Sequence, residues 1–230
     1  MRRPPLPAKA LSRKGKGAAP QLESSRERLL AVGTELFGRR GVDGTTIRDL
    51  AEAAGVNVAA VHYHFGGKDE LYAVVIERAF QRMKDHHQFL HSALAAARAE
   101  GTPEAAERAL ASCIHQFLHS LFDGDKPSWA ATFLSRESIQ PTKAMGRVIR
   151  DFVRPTWETF LSLLDLLRPD IAGTQAQRLI ASSIVGQCLY YQHTLPVILF
   201  TFELRRIDEA FLDAAAAHIV RFSLDALRRH

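Results

Sequence analysis

One stretch constrains the fold of this chain more than any other: residues 45 to 68, TTIRDLAEAAGVNVAAVHYHFGGK. Thr46 suits the start of a helix, because its hydroxyl can accept from a backbone N–H that has no partner inside the helix. Ile47, Leu50 and Ala51 follow at i, i+3 and i+4, which places apolar groups on one helical face. Gly55 then ends that helix, where positive φ is wanted. Asn57 is set to cap a second helix over residues 58 to 64, with Val61 and Phe65 four apart and able to plug a core. Ala59, Ala60, His62 and Tyr63 fall on its other faces. Two short helices, a glycine turn and a surface of small residues with polar tips make a helix-turn-helix that can enter a major groove.

The run Gly55-Val56-Asn57, Ala59, Val61-His62, His64-Phe65, Lys68 and Leu71 resembles the signature of TetR-type transcriptional regulators. That family usually has Ser where Asn57 stands, Gly where Ala59 stands and Tyr where His62 stands. Ala31, Leu36, Phe37, Gly41 and the stretch from Thr45 to Gly55 continue the similarity upstream, so that it covers roughly residues 25 to 75. Beyond that region only length and helical character match. The resemblance implies phosphate contacts from Thr46, Asn57, His62, His64 and Lys68, with Arg48 on the supporting helix as a further phosphate candidate. Val58, Ala59, Ala60 and Tyr63 would lie nearest base edges, Val58 and Ala60 against thymine methyls and Tyr63 as a donor. His64 could instead turn inward to an interior hydrogen bond, and Lys68 could be an ordinary exposed lysine. Protonation of His62 could make DNA affinity depend on pH.

Charge agrees with a nucleic-acid partner but is unevenly placed. The net charge is +5, yet residues 1 to 22 hold six basic residues and no acidic one. The remaining 24 basic and 25 acidic residues cancel to −1. Residues 1 to 23 therefore read as an unfolded basic tail, able to track phosphates or simply solvated. The start lacks an apolar h-region, and no apolar run approaches the roughly 20 residues of a membrane span, so a cytoplasmic protein without membrane contact is expected. Cys113 and Cys188 read as buried thiols, since two distant cysteines imply no disulfide framework.

The whole chain reads as all-α. A helix from Ser24 or Ser25 to about Arg40 would complete a three-helix DNA-binding head, residues 24 to 72. A helix from Lys68 to Gly101, on the order of 45 Å long, would join it to a body of residues 73 to 230. Further helices are expected from Pro103 to about Phe122, over 128 to 138, from Thr142 to about Leu167 with a kink or split at Pro155, over 174 to 193, and over 208 to 229. No strand and no repeat stand out.

The family resemblance implies that the body holds a small-molecule effector and a dimer interface. Phe117, Trp129, Phe133, Trp157, Gln187, Tyr190 and Tyr191 are the aromatic and polar candidates for the effector, although each also suits the core. Arg136-Glu137, followed by Pro141, resembles an element of the CecR-like subgroup. If buried, these two charges must pair with each other, a neighbour or a ligand. Leu189, Phe211, Ile219 and Phe222 are expected in a two-fold helical interface between homodimer partners. His115 and His119 are spaced to share a metal, but no further ligand is evident beside them, so neither metal nor cofactor is expected. His86 and His87 are read as solvated. No catalytic motif appears, and an enzyme is not expected. The expected partners are a palindromic double-stranded DNA operator, a small-molecule effector and a second copy of the chain. The expected function is a ligand-released repressor. An activator or dual regulator is the alternative, and an all-α enzyme or carrier the distant one.

Overall fold

The computed structural model describes residues 24–229; the basic tail of residues 1 to 23, read as able to track phosphates or simply solvated, lies outside the described residues. Helix α1 (Ser25–Arg40) starts where Ser24 accepts from the Glu27 amide and buries Leu29, Leu30 and Phe37. Helix α2 (Ile47–Ala54) opens with a capping box: the Thr46 hydroxyl accepts from the Asp49 amide while the Asp49 carboxylate accepts from the Thr46 amide. Helix α3 (Val58–Phe65) begins at Asn57, whose side chain accepts from the Ala60 amide. Gly55 between them sits at φ 63°, and a Cβ there would meet nothing within 4 Å. Its backbone conformation, not lack of space, calls for glycine.

Helix α4 (Lys68–Phe80) does not run on as one uniform rod to Gly101. The bonding pattern tightens at Gln81, whose amide donates to the Arg78 carbonyl at 3.2 Å, and α5 (Arg82–Glu100) follows. Neither proline nor glycine marks the site in the sequence. The body comprises α6 (Pro103–Ser120), α7 (Trp129–Ile139), α8 (Met145–Val148), α9 (Arg154–Leu167), α10 (Gln175–His193), α11 (Leu195–Thr201) and α12 (Glu209–Arg229). One departure from the expected elements is a hairpin: residues 122 to 127 form two rungs, β1 (Phe122–Asp123) pairing antiparallel with β2 (Lys126–Pro127). The helix expected from Thr142 splits at the proline, with a wide π turn at Ile149–Val153 just before Pro155 in the first turn of α9. Proline lacks the N–H that would bond one turn back and crowds that carbonyl, so the preceding coil widens. No helix among the described residues is long and apolar enough to cross a membrane.

The apolar interior forms two clusters. The larger lies in the body, among Leu90 and Leu94 of α5, Leu110 and Ile114 of α6, Phe160 and Leu164 of α9, Ile184 of α10 and Ile219 of α12. Both cysteines are free and lie in it; burial pushes each thiol up to about 12, so neither is a reactive thiolate. The second cluster holds the head together through Leu29, Phe37, Leu50, Val61, Leu71 and Val75. It extends along α4 to Phe80, past the division expected near residue 73, and takes in Phe133 of α7, Val148 and Phe152. The head is therefore closed by body residues.

Phe133 has no exposed surface and packs edge-on to Tyr72 at 6.0 Å between ring centroids. Phe133→Ala should cost about 3–5 kcal/mol, the usual loss for a buried phenylalanine. Urea unfolding followed by near- and far-UV circular dichroism checks this; a cost below about 1 kcal/mol would mean the head closes without α7.

Candidate nucleic-acid interface and its junction with the body

Helix α3 is anchored through Val61, which is fully buried, with Ala60 and Phe65 packed partly against the same core. Val58, Ala59, His62 and Tyr63 are exposed, Tyr63 at 85%. Ala60 is half-buried. Thr46, Arg48 and Asn57 are exposed around the start of α2 and the α2–α3 turn, with Thr46 and Asn57 already serving as helix caps. Two of the expected phosphate contacts have partners inside the head. His64 places Nε2 2.8 Å from the Ser25 hydroxyl, and the Lys68 ammonium donates to the Val42 carbonyl at 2.8 Å. The inward alternative for His64 thus describes its position. Lys68 ties the α1–α2 loop to α4, with donors to spare for a phosphate. His62 turns Nδ1 toward the Gly66 carbonyl at 3.3 Å. The guanidinium of Arg26 lies over the Phe65 ring at 5.4 Å, bracing the end of α3 against α1.

The nine residues expected at an effector site do not converge on one cavity. Phe117 and Trp157 pack in or against the body core, and Phe133 lies in the head core. Gln187 bonds back to its own helix at the Ser183 carbonyl, Tyr190 is exposed, and Tyr191 meets Phe211 edge-on at 5.9 Å. Trp129, Arg136 and Glu137 instead build the junction of head and body. A Cβ on Gly38 would come within 2.2 Å of the Trp129 ring, so α1 and α7 meet there at glycine-only distance. Arg136 donates from Nε to the Gly38 carbonyl at 2.7 Å and from Nη2 to the Arg39 carbonyl. These acceptors lie at the negative end of α1, whose last carbonyls have no helical partner. Glu137 is fully buried and takes the Tyr72 hydroxyl at 2.7 Å, the Thr142 hydroxyl at 2.8 Å and the Thr142 amide at 3.0 Å. Arg136 and Glu137 therefore do not pair with each other; each reaches a different part of the head or the loop after α7. Burial, reinforced by the bond to Glu137, raises the Tyr72 phenol well above its ordinary range, so it stays a donor.

Beside this junction lies a cleft of about 520 Å³, lined by Thr34 of α1, Ala79 of α4, His86 of α5, Gln116 and Ser120 of α6 and Trp129 of α7. Contrary to the solvated position expected of it, His86 is 2% exposed, and neither ring nitrogen has a hydrogen-bond partner within the protein. Its ring lies 5.8 Å from that of Phe117. His87 is half-buried, with Nε2 3.0 Å from the Phe152 carbonyl and 3.1 Å from the Thr156 hydroxyl. Adjacent positions on a helix face apart, but α5 is covered on both of those faces.

At this point the comparisons with known proteins decide the family. A family model described as bacterial regulatory proteins, tetR family, matches residues 29–75. A second, the C-terminal domain of the HTH-type transcriptional dual regulator CecR, matches residues 106–227. The chain belongs to the TetR family, in its CecR-like branch. It is 26% identical over 173 residues to the HTH-type transcriptional dual regulator CecR of Shigella flexneri, covering 74% of this chain and 76% of that one. Over 71 residues it is 35% identical to the HTH-type transcriptional repressor KstR2 of Mycobacterium tuberculosis, spanning 29% of this chain and 36% of the relative. In fold it is similar to a TetR-like transcriptional regulator from Rhodococcus sp. RHA1, with TM-score 0.62, 22% identity and coverage of 90% of this chain and 99% of that one. The chain is a DNA-binding transcriptional regulator, and its relatives are regulators rather than enzymes.

Burial holds the His86 imidazole down at about 4, with His87 adding to the effect. A base whose folded pKa lies below its unfolded value of 6.5 takes up protons on unfolding, so stability falls as pH drops from about 6.5 to about 4. At roughly 1.4 kcal/mol per unit the loss approaches about 3 kcal/mol at the acid end. Urea unfolding of His86→Leu across this range should give a flatter pH dependence than wild type. An unchanged slope would mean the imidazole is hydrated in the folded state.

Proposed function

We propose that this TetR-family regulator is a homodimeric repressor that binds a palindromic operator and leaves it when a small molecule enters the junction cleft. The observation that carries this reading is that α3 exposes Val58, Ala59, His62 and Tyr63 on a head whose core is closed by α7, a helix of the body. In this reading Val58, Ala59, Ala60 and Tyr63 approach base edges, while Thr46, Arg48, Asn57, His62 and the spare donors of Lys68 approach phosphates. Two-fold symmetry then requires half-sites about one helical turn, or a multiple of it, apart.

The dimer is best served by α10 and α12. Ile219 is spent inside its own protomer's core, and Phe211 is half-buried beneath Tyr191 and Phe202. Phe222 on α12 is 57% exposed, Leu179 and Tyr190 on α10 are exposed too, and Gly186 between them has open space where a Cβ would stand. A partner helix can approach closely there and cover this apolar face, which is unusual to leave in water. For the effector, the junction cleft offers the wall of Trp129, the polar groups of Gln116 and Ser120, and the unpartnered imidazole of His86. This suits a drug-sized amphipathic molecule with hydrogen-bonding groups. A molecule there touches α1 and α4 as well as α5 to α7, so its affinity must differ between dispositions of head and body, which is the condition for driving release.

Footprinting on the chain's own upstream DNA, repeated with a panel of apolar and drug-like compounds, tests the reading. A reporter in a deletion strain separates repression from activation, since transcription that falls on deletion would make this a dual regulator or an activator. Tyr63→Ala should weaken operator binding roughly tenfold or more, the scale of one base contact, with melting temperature unchanged. Phe222→Glu should shift the sedimentation of the protein toward monomer and weaken operator binding with it. A stable dimer in that variant would move the interface off α12.

A further inference from the structure

The pair His115 and His119 has a third group beside it that no local pattern announces. Asp213 of α12 comes between them, its Oδ1 2.9 Å from Nε2 of each imidazole. The two rings stack, with centroids 4.2 Å apart and planes inclined by 21°. One ligand atom from each of the three side chains lies within 4.8 Å of the other two, the one such group among the described residues. We propose that His115, His119 and Asp213 bind a divalent transition-metal ion of the zinc class, which staples α6 to α12.

The donor set suits that ion. Two imidazoles and one carboxylate select Zn²⁺ and its neighbours over Mg²⁺ or Ca²⁺, which prefer all-oxygen surroundings. The i, i+4 spacing on α6 puts both rings on one face, and α12 brings the oxygen ligand opposite. Tetrahedral coordination at 2.0–2.1 Å needs the two nitrogens about 3.3 Å apart. Small side-chain rotations supply this, because the three side chains are 50%, 25% and 58% exposed and not locked in a core. Solvent fills the fourth position. Metal binding needs a lone pair on each Nε2; where Nε2 carries the hydrogen in the metal-free molecule, its shift to Nδ1 through solvent frees that lone pair with no net proton change for a neutral ring. Without metal the same contacts form an ion pair when a histidine is protonated; with metal the three ligand atoms, already within 4.8 Å of one another, close around the ion.

The test uses untagged full-length protein, freed of metal by chelator and titrated with Zn²⁺ and, separately, Co²⁺. Expected are one metal per chain, the visible absorption of a four- or five-coordinate Co²⁺ ion, and a zinc-dependent rise in melting temperature. All three should be lost in His119→Ala and in Asp213→Asn, and kept in His218→Ala, a nearby exposed histidine of α12. Circular dichroism confirms that the variants fold. Absence of stoichiometric binding in wild type, or binding that survives both ligand substitutions, overturns the proposal.

Discussion

Most of this structure depends on one insertion, that of α7 into the head. A three-helix head of this size cannot bury much surface on its own, and here the missing wall is a helix from the body. Phe133 fills the gap between Tyr72 and Trp129, and Gly38 on α1 is bare so that Trp129 can lie against it. On the same helix Arg136 takes the last carbonyls of α1, a cation at the negative end of a helix dipole. Glu137, one residue on, has its two carboxyl oxygens within hydrogen-bond distance of three donors. An unpaired buried charge would cost several kcal/mol, so this carboxylate holds Tyr72 and the loop at Thr142 to one geometry. Head and α7 are thereby one packing unit.

That unit sets what a signal can do. The head cannot rock freely on α4 while α7 stays behind, because packed interfaces of this kind have discrete arrangements. A ligand wedged between α1 and α4 on one side and α5 to α7 on the other meets two surfaces whose relation it can change. The required preference is modest: a hundredfold difference in affinity between two arrangements corresponds to about 2.7 kcal/mol, within the usual range of allosteric coupling. The buried His86, lining that cleft with no partner, supplies a polar group whose satisfaction by a ligand would favour the occupied arrangement.

The head was legible in the sequence because what makes it is local. Thr46, Gly55 and Asn57 act within three or four residues of themselves, and Val61 is placed by helical period alone. The junction was half legible. The adjacent charges Arg136 and Glu137 stood out, but neighbours on a helix point apart, and their partners in the head lie 65 and nearly 100 residues upstream. No pattern in one sequence reports such a pairing. The same reason hid Asp213 from the histidine pair of α6, 94 residues before it. His86 was misplaced because polarity suggested solvent, whereas α5 is covered on that side by the body. Ile219 and Phe222 show the same limit in an apolar pair: composition put both at an interface, and only packing separates the buried one from the exposed one.

The arrangement also bears on how DNA is read. Outside residues 1 to 22 the charges cancel, so long-range attraction cannot carry the affinity of the folded part. What remains is a short helix with valine and alanines at its start, a tyrosine standing clear, and polar groups at both ends. Small side chains let the backbone of α3 approach the groove floor, where a misfit of a few tenths of an ångström costs contacts. Phosphate contacts from caps such as Thr46 and Asn57 hold only if the caps stay in place, since the groups that position the helix are those that hold it folded. The His64–Ser25 bond ties α3 to α1, and the Lys68–Val42 bond ties α4 to the α1–α2 loop. In the proposed reading, discrimination between operators rests on how firmly this helix is seated, and a movement of α1 or α4 imposed from the junction would reach α3 through these same contacts.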